Sequence, residues 1–220
     1  MIFIKHHTKE EALKIVQRCA EQYQKHLLDR SLLFVVVDKH NRTSTLEVHF
    51  TKRNFLHLTG FEVDITTISA PRFFDLCIDK RLSVHDFELS KDGTTDLKLL
   101  VLPNLMTKNL SANSVGDFNG TGIKLYTEKI AGGTTGCIGF MLDDDTGLML
   151  PNTVLKMDIR DCTKSPQSRI IATYRKSSID SVYTEIVHSA KGINFDAILF
   201  PENYRDLPKP NRQALAKSKI

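Results

Sequence analysis

The sequence predicts an α+β domain in which N-terminal helices pack on a curved, mainly antiparallel β-sheet. Three observations lead to this fold class. An amphipathic helical pattern follows Thr8, an apolar run at 32–37 precedes an alternating segment at 45–50, and the second half contains short strand-like segments separated by turn signals. No segment repeats along the chain, so one domain is expected.

The first predicted element is a helix over 8–28. Thr8 and Glu11 have the spacing of a capping box, in which a hydroxyl and an acid satisfy the free N–H groups of a helix start. Apolar residues then recur at helical spacing: Leu13, Val16, Ala20, Tyr23 and Leu27. This spacing gives the helix one face to bury.

A β-hairpin is predicted next. The run at 32–37 is apolar and β-branched, 38–42 is polar, and 45–50 alternates polar with apolar residues. These patterns indicate a buried strand, a turn and a half-buried strand.

The segment 54–60 is predicted to extend this sheet as another strand. Strand parity places Phe55, His57 and Thr59 on one face and the leucines between them on the other. A histidine and a hydroxyl on one face, followed by Gly60, suit acid–base chemistry on a ligand that approaches the backbone. The alternative is that His57 is a structural histidine.

Two further helices are predicted before the middle of the chain. Ser69 is a suitable N-cap for a helix over 70–79, with Pro71 in its first turn. Asp92-Gly93 is a turn signal, and 97–102 is predicted to be a helix that ends before Pro103.

The second half is predicted to be mostly β. Six candidate strands are 114–118, 124–130, 137–142, 153–159, 168–175 and 182–187. The glycine-rich segment 131–139 has no following Lys-Ser/Thr pair and no following helix, so it is predicted to be a turn and a strand rather than a phosphate-binding loop. The three acids at 143–145 are predicted to form a solvated hairpin tip.

The last residues of the strand at 168–175 begin a second candidate site. Two adjacent cations beside a tyrosine can bind a phosphate and stabilise charge that develops on it. Parity places Tyr174 and Lys176 on one face of the strand, and Arg175 and Ser177 on the other. A solvated strand end is the alternative. Three weaker candidates for a substrate groove lie upstream: Lys124, Tyr126 and Lys129.

The composition favours a cytoplasmic globular protein. The chain has 220 residues, of which 41% are hydrophobic, enough for a sizeable core. Its four cysteines lie far apart and are expected to be reduced thiols, and no signal peptide or membrane-length apolar run is present. Neither HExxH nor GxSxG occurs, which disfavours metalloproteases and serine hydrolases.

Basic residues concentrate at the C-terminus. Five bases against one acid from 205 onward account for the whole net charge of +4. We therefore expect a single neutral domain over 1–204 and a basic, flexible tail over 205–220. A nucleic-acid contact is the alternative role for this tail.

Four segments in order carry a family resemblance: 54–60, 72–77, 125–132 with Gly139-Phe140, and 171–176. Over approximately residues 30–200 the chain resembles the phage and mobile-element branch of the barnase–EndoU–colicin–RelE-like (BECR) nucleases. The helix at 8–28 lies outside the resemblance and is treated as an appendage.

The resemblance implies a metal-independent endoribonuclease that needs no cofactor and has a toxin or host-takeover role. In such chemistry a 2′-hydroxyl attacks the adjacent phosphate and a cyclic phosphate forms. The implied roles are His57 as acid–base group, Thr59 as its orienting or phosphate-binding neighbour, Arg175 and Lys176 as phosphate clamp, and Tyr174 as stacking or proton-relay residue. RNA is the implied partner, with a protein inhibitor or host factor as a further class.

Two other functions fit the same residues. An NAD-dependent ADP-ribosyltransferase would use His57 to hold NAD and Glu185 as its late catalytic glutamate. A catalytically inactive module would bind RNA or protein without turnover. Titration with NAD separates the first alternative from a nuclease.

Overall fold

The computed structural model describes residues 6–120, 126–164 and 166–210. The α-helices in these residues are α1 (Lys9–His26), α2 (Lys52–Thr59), α3 (Ala70–Ile78), α4 (Thr94–Leu105) and α5 (Ile159–Cys162). The strands are β1 (Arg30–Val37), β2 (Thr43–Phe50), β3 (Phe61–Glu62), β4 (Glu88–Leu89), β5 (Ser114–Asp117), β6 (Lys129–Gly132), β7 (Cys137–Asp143), β8 (Leu148–Leu155), β9 (Ser168–Ser177) and β10 (Glu185–Ser189).

Eight strands form one curved sheet in the order β1-β2-β8-β7-β6-β5-β9-β10. β1 also pairs with β9, from Arg30 opposite Ser177 to Val37 opposite Arg169. This pairing closes seven strands into a barrel-like ring, with β10 added beside β9. The β2–β8 pairing is parallel and the other described pairings are antiparallel. The predicted α+β class with a mainly antiparallel sheet is therefore confirmed.

The main core lies between the inner face of this ring and helices α1 to α4. Aromatic rings occupy its centre: the Tyr23 ring lies 5.2 Å from Phe55, 5.7 Å from Phe74 and 6.0 Å from Phe50. The contacts with Phe55 and Phe50 are edge-to-face, and such contacts add to the free energy gained from burying the rings.

Helix α1 belongs to this core. It begins at the predicted capping box, where Glu11 N donates to Thr8 Oγ1 over 3.2 Å. Its predicted apolar face, including Val16, Ala20 and Tyr23, is buried. The expectation that this helix is an appendage is wrong, because its buried residues form part of the main core.

A second, smaller core covers the outer face of β1 and β9. Leu33, Val35 and Tyr174 point outward and pack against the C-terminal segment, which contributes Tyr183, Phe195, Phe200 and Leu207. The Tyr174 hydroxyl donates to the Pro208 carbonyl over 2.8 Å. The packed domain therefore extends past the predicted boundary at 204, at least to Pro208. Residues 211–220 of the predicted tail lie outside the described residues.

The segment 54–60 forms most of α2 and not the predicted strand. Thr51 N donates to Asn54 Oδ1 over 2.9 Å, which fixes the helix start, and Gly60 takes a left-handed φ of 74° at its end. Phe55 and Leu58 are both fully buried, at the three-residue spacing that a helix places on one face. The apolar run is too short for its periodicity to distinguish a strand from a helix.

The other predicted elements are present with shifted ends. The β1–β2 hairpin, α3 and α4 are confirmed. Helix α4 runs to Leu105 instead of ending before Pro103, because a proline near a helix end removes only one helical hydrogen bond. The six strands of the second half correspond to β5–β10, although the first two residues of the strand predicted over 124–130 lie outside the described part of the chain.

The glycine-rich segment forms the β6–β7 hairpin, as the predicted turn and strand require. A methyl group on Gly132 would lie 2.6 Å from the Gly136 carbonyl oxygen, and one on Gly139 would lie 2.8 Å from Thr127 Cγ2. Glycine is needed at both positions because the backbone and side chains pack too closely for a Cβ atom.

Three further expectations concern turns, thiols and membranes. The acids at 143–145 lie at the β7–β8 connection, where the Thr146 hydroxyl donates to the Asp143 carboxylate. All four cysteines are buried and unbridged. Within the described ranges, no helix combines the length and apolar character needed to traverse a bilayer.

Candidate active site

His57 lies on the solvent side of α2. The Lys98 ammonium donates to the His57 carbonyl oxygen over 2.7 Å. Partial burial of His57 and the charge of Lys98 lower the pKa of its imidazole, and burial lowers the pKa of Lys98 to about 8. This pair lies on a helix and not on the predicted strand.

Thr59 does not share the exposed side of α2 with His57. Its hydroxyl is buried, donates to the Leu56 carbonyl over 2.8 Å and accepts from Phe61 N over 3.1 Å. The helical turn separates the two side chains that strand parity places together. Thr59 closes the end of α2 in this structure.

The predicted separation of Tyr174 from Arg175 is present. Tyr174 is fully buried in the outer core, and burial raises the pKa of its hydroxyl. Arg175 points to the inner side and is held by both oxygens of Glu185, at 2.7 and 2.6 Å, and by the His26 carbonyl at 3.1 Å. Its guanidinium therefore joins β9 to β10 and to the end of α1. Ser177 ends β9 opposite Arg30.

The weaker groove candidates do not join these residues. Lys129 pairs with Asp117, and both line a separate cavity of about 270 Å³. The Tyr126 side chain is 89% exposed, and Lys124 lies outside the described residues.

Lys176 belongs to a polar cluster on the outer face of the sheet. In register, Ser31 on β1 lies opposite both His49 on β2 and Lys176 on β9, and Glu47 lies two residues before His49. Tyr183 and Tyr204, from the C-terminal part of the chain, also lie on this face. We call these six residues the outer-face cluster: Ser31, Glu47, His49, Lys176, Tyr183 and Tyr204.

Hydrogen bonds hold the carboxylate and the imidazole of this cluster in place. The Tyr183 hydroxyl donates to Glu47 Oε1 over 2.7 Å, and the Tyr204 hydroxyl donates to Oε2 over 2.8 Å. The Ser31 hydroxyl lies 3.1 Å from His49 Nδ1, and Ser31 also adjoins the Tyr183 hydroxyl. In the tautomer with a proton on Nδ1, His49 donates to Ser31, which lies beside the hydrogen bond from Tyr183 to Glu47. The other ring nitrogen, Nε2, has no hydrogen-bond partner within the described ranges.

The charges of the cluster balance one another. Lys176 Nζ lies 3.4 Å from Glu47 Oε1 and 4.6 Å from the centre of the Tyr183 ring. Burial alone would raise the pKa of Glu47, but the two tyrosine hydroxyls and the Lys176 charge hold it below its ordinary value. Burial lowers the pKa of His49, although the charges of Asp29 and Glu47 oppose this shift. At neutral pH the cluster therefore holds a carboxylate, a neutral imidazole and an ammonium group.

The cluster has access to solvent. Glu47, Lys176, Tyr183 and Tyr204 line a cavity of about 330 Å³ on the outer face. A base that is neutral at physiological pH, beside a cation, can accept a proton and neutralise charge on a phosphate.

Sequence reasoning selected Lys176 but missed its five partners. The alternation of 45–50 carries a usable signal, because it places Glu47 and His49 together on the polar face of a half-buried strand. No local signal joins them to Ser31, Tyr183 or Tyr204, which reach the same place from distant segments.

Replacing both tyrosines by phenylalanine tests the hydrogen bonds to Glu47. The double variant Tyr183→Phe/Tyr204→Phe is expected to lower the free energy of unfolding at pH 7 by about 2 kcal/mol, because it removes two hydrogen bonds to a charged group. The folded-state pKa of Glu47 is depressed, so the stability it contributes is present above its unfolded-state pKa and is lost as pH falls through the folded-state value. Urea unfolding at pH 7 and pH 3.5 measures both effects.

The difference between this double variant and wild type should therefore shrink at pH 3.5. Tyr126→Phe is the matched control, because its exposed ring gives no reason for a change at either pH. An equal loss at both pH values would contradict the ionised state of Glu47.

Comparison with known proteins identifies one family. A family model described as phage-Barnase-EndoU-ColicinE5/D-RelE like nuclease4 matches residues 15–192. The match includes most of α1 and all members of the outer-face cluster except Tyr204. No curated protein and no solved structure matches the chain.

Proposed function

The chain belongs to the phage-Barnase-EndoU-ColicinE5/D-RelE-like nucleases, and from this membership we propose that it cleaves RNA without a metal ion, at the outer-face cluster. One observation carries the proposal: a neutral imidazole, a carboxylate and an ammonium group lie together on the outer face of the sheet, where the carboxylate and the ammonium group line a cavity. These are the groups that 2′-hydroxyl attack on a phosphodiester requires.

His49 takes the proton in this proposal. Its Nε2 accepts the 2′-hydroxyl proton as the 2′-oxygen attacks the adjacent phosphorus atom. The contact with Ser31 orients the ring, and the charge of the nearby Glu47 carboxylate stabilises the imidazolium that forms. Glu47 thus acts as a positioning residue through His49.

Lys176 neutralises the charge on the five-coordinate phosphorus. The bond from phosphorus to the 5′-oxygen breaks, and this leaving oxygen takes a proton from the Lys176 ammonium group. The products are a 2′,3′-cyclic phosphate on one fragment and a 5′-hydroxyl on the other. Proton exchange with water then returns His49 and Lys176 to their starting states.

The biological role we propose is attack on host RNA by a phage or mobile element, in the cytoplasm of the host cell. The word phage in the family's description supports this role. A protein inhibitor or a host factor is the partner class that such a nuclease would need.

The reaction is tested by incubating the protein with total cellular RNA in EDTA and analysing the ends of the products. We expect discrete cuts that carry 2′,3′-cyclic phosphates and 5′-hydroxyls. A requirement for Mg²⁺, or products with 5′-phosphates, would contradict the mechanism. Intact RNA in all conditions would favour the inactive binding module.

A further inference from the structure

A second group of basic residues surrounds the end of α1, on the inner side of the sheet. It consists of Lys25, His26, Arg30, Lys108, Arg175 and His188, which we call the basic rim. We propose that the basic rim binds the phosphodiester backbone of the RNA strand that the outer-face cluster cleaves. The proposal rests on the proposed function for the identity of the strand.

The sheet register places the strand residues of the rim on one face. Arg30 lies opposite Ser177, Arg175 lies opposite Leu32 of the main core, and His188 lies opposite Thr173. Antiparallel partners share a face of the sheet. The bond from Arg175 Nη1 to the His26 carbonyl then brings the end of α1 to the same place.

Positive charge dominates this place. Burial lowers the pKa of His26 and His188; the charges of Lys25, Arg175, Arg30 and Lys108 lower that of His26 further, and Lys108 also lowers that of His188. The Lys108 ammonium group therefore lies near both rings. Each histidine is also partly buried, so both rings are neutral hydrogen-bonding groups among cations.

Most of this charge has no counterion. Glu185 neutralises Arg175, and the exposed Asp29 lies beside Arg30 in the chain. Lys25, Arg30 and Lys108 form no ion pair with any described residue. Unpaired lysines and arginines with neighbouring hydrogen-bond donors are the usual partners of nucleic-acid phosphates.

A buried hydroxyl adds an independent observation. Thr173 Oγ1 is fully buried and has no hydrogen-bond partner in the described part of the chain. A buried hydroxyl without a partner costs stability. Thr173 lies in register with His188 of the basic rim.

The rim and the outer-face cluster flank the same end of β1 and β9. Arg30 is followed by Ser31, and Arg175 is followed by Lys176, with alternate residues on opposite faces. A strand that crosses this end of the sheet can therefore meet the rim on one side and the cluster on the other.

The test uses the double variant Lys25→Ala/Lys108→Ala and a fluorescent single-stranded RNA whose 2′-hydroxyls are methylated. Methylation prevents 2′-hydroxyl attack, so binding is measured without cleavage. Each lost phosphate contact lowers the slope of log K against log salt by about 0.7 for single strands. We expect a slope reduced by about 1.4 and an affinity reduced on the order of twentyfold at 0.1 M salt.

The matched control is Lys39→Ala/Lys91→Ala, which removes the same charge elsewhere. Lys39 lies beyond the opposite end of β1 from Arg30, roughly 25 Å away, and Lys91 precedes α4 whereas Lys108 follows it. The control should retain wild-type affinity and salt dependence. An equal loss of RNA affinity in both variants would show a diffuse charge effect and overturn the proposal. Wild-type affinity in the rim variant would also overturn it.

Cleavage assays separate this proposal from the proposed reaction. On unmodified RNA the rim variant should raise KM and leave kcat near the wild-type value. If wild type cuts no RNA but the rim variant binds it more weakly, the proposed reaction fails and the rim stands. If wild type cuts RNA and the rim variant matches it in both constants, the rim fails and the reaction stands.

Discussion

His49→Ala is expected to slow RNA cleavage by about three orders of magnitude, because a positioned general base contributes roughly 10²–10⁴-fold to such reactions. The variant removes Nε2, the atom proposed to accept the 2′-hydroxyl proton, and leaves Glu47 with both of its tyrosine partners. Single-turnover cleavage of a defined RNA in EDTA measures the effect. Binding of the methylated RNA should stay close to that of wild type.

The pH profile gives a second measure of the same residue. His49 acts as a base only when neutral, and burial holds its pKa below the ordinary value of about 6.5. The wild-type rate should therefore rise with pH and level off below pH 6.5. His49→Ala should lose this rise.

His40→Ala is the control for His49→Ala, because His40 is exposed in the turn between β1 and β2. His57→Ala tests the position that the family resemblance implies. Loss of cleavage in His57→Ala together with full activity in His49→Ala would move the active site from the outer face to α2, beside Lys98.

Phe55→Ala is expected to lower the free energy of unfolding by about 4 kcal/mol, within the range for truncating a buried phenylalanine. The Phe55 side chain is fully buried, and its ring lies 5.2 Å from Tyr23 and 5.3 Å from Phe74. The cavity would separate α2 from α1 and α3. For a chain of this size, Tm should fall by about 8–16 °C.

Leu199→Ala is the matched control for Phe55→Ala. Leu199 is 85% exposed, so removing its side chain should change the free energy of unfolding by less than about 0.5 kcal/mol. Urea unfolding and thermal melts of both variants provide the comparison. A loss below 1 kcal/mol in Phe55→Ala would contradict the packing of α2 in the main core.

The elements with strong local patterns follow from the sequence. The capping box at Thr8 starts α1, the apolar and alternating runs form the β1–β2 hairpin, and the strands of the second half lie near their predicted positions. Strand parity also separated Tyr174 from Arg175 correctly, because β9 is extended through this region. The order of four segments identified the nuclease family.

The helix α2 shows where local patterns fail. The segment 54–60 fits both a strand and a short helix. Its residues alternate in the manner of a strand, but Phe55 and Leu58 also have the three-residue spacing of one helix face. Burial of Phe55 and Leu58 against α1 and α3, together with the left-handed turn at Gly60, selects the helix. This selection depends on partners that a local pattern does not contain.

By itself, the sequence determined the fold class, the family and the elements with strong local patterns, because these depend on patterns within single segments and on the order of the segments along the chain. Only the tertiary structure decided the composition of the site. Glu47 meets Tyr183 across 136 positions and Tyr204 across 157. Such contacts arise from the order and register of the strands and from the return of the C-terminal segment over the outer face. Because cooperative packing of the whole domain sets that order and register, no spacing within a single segment specifies which side chains meet at the site.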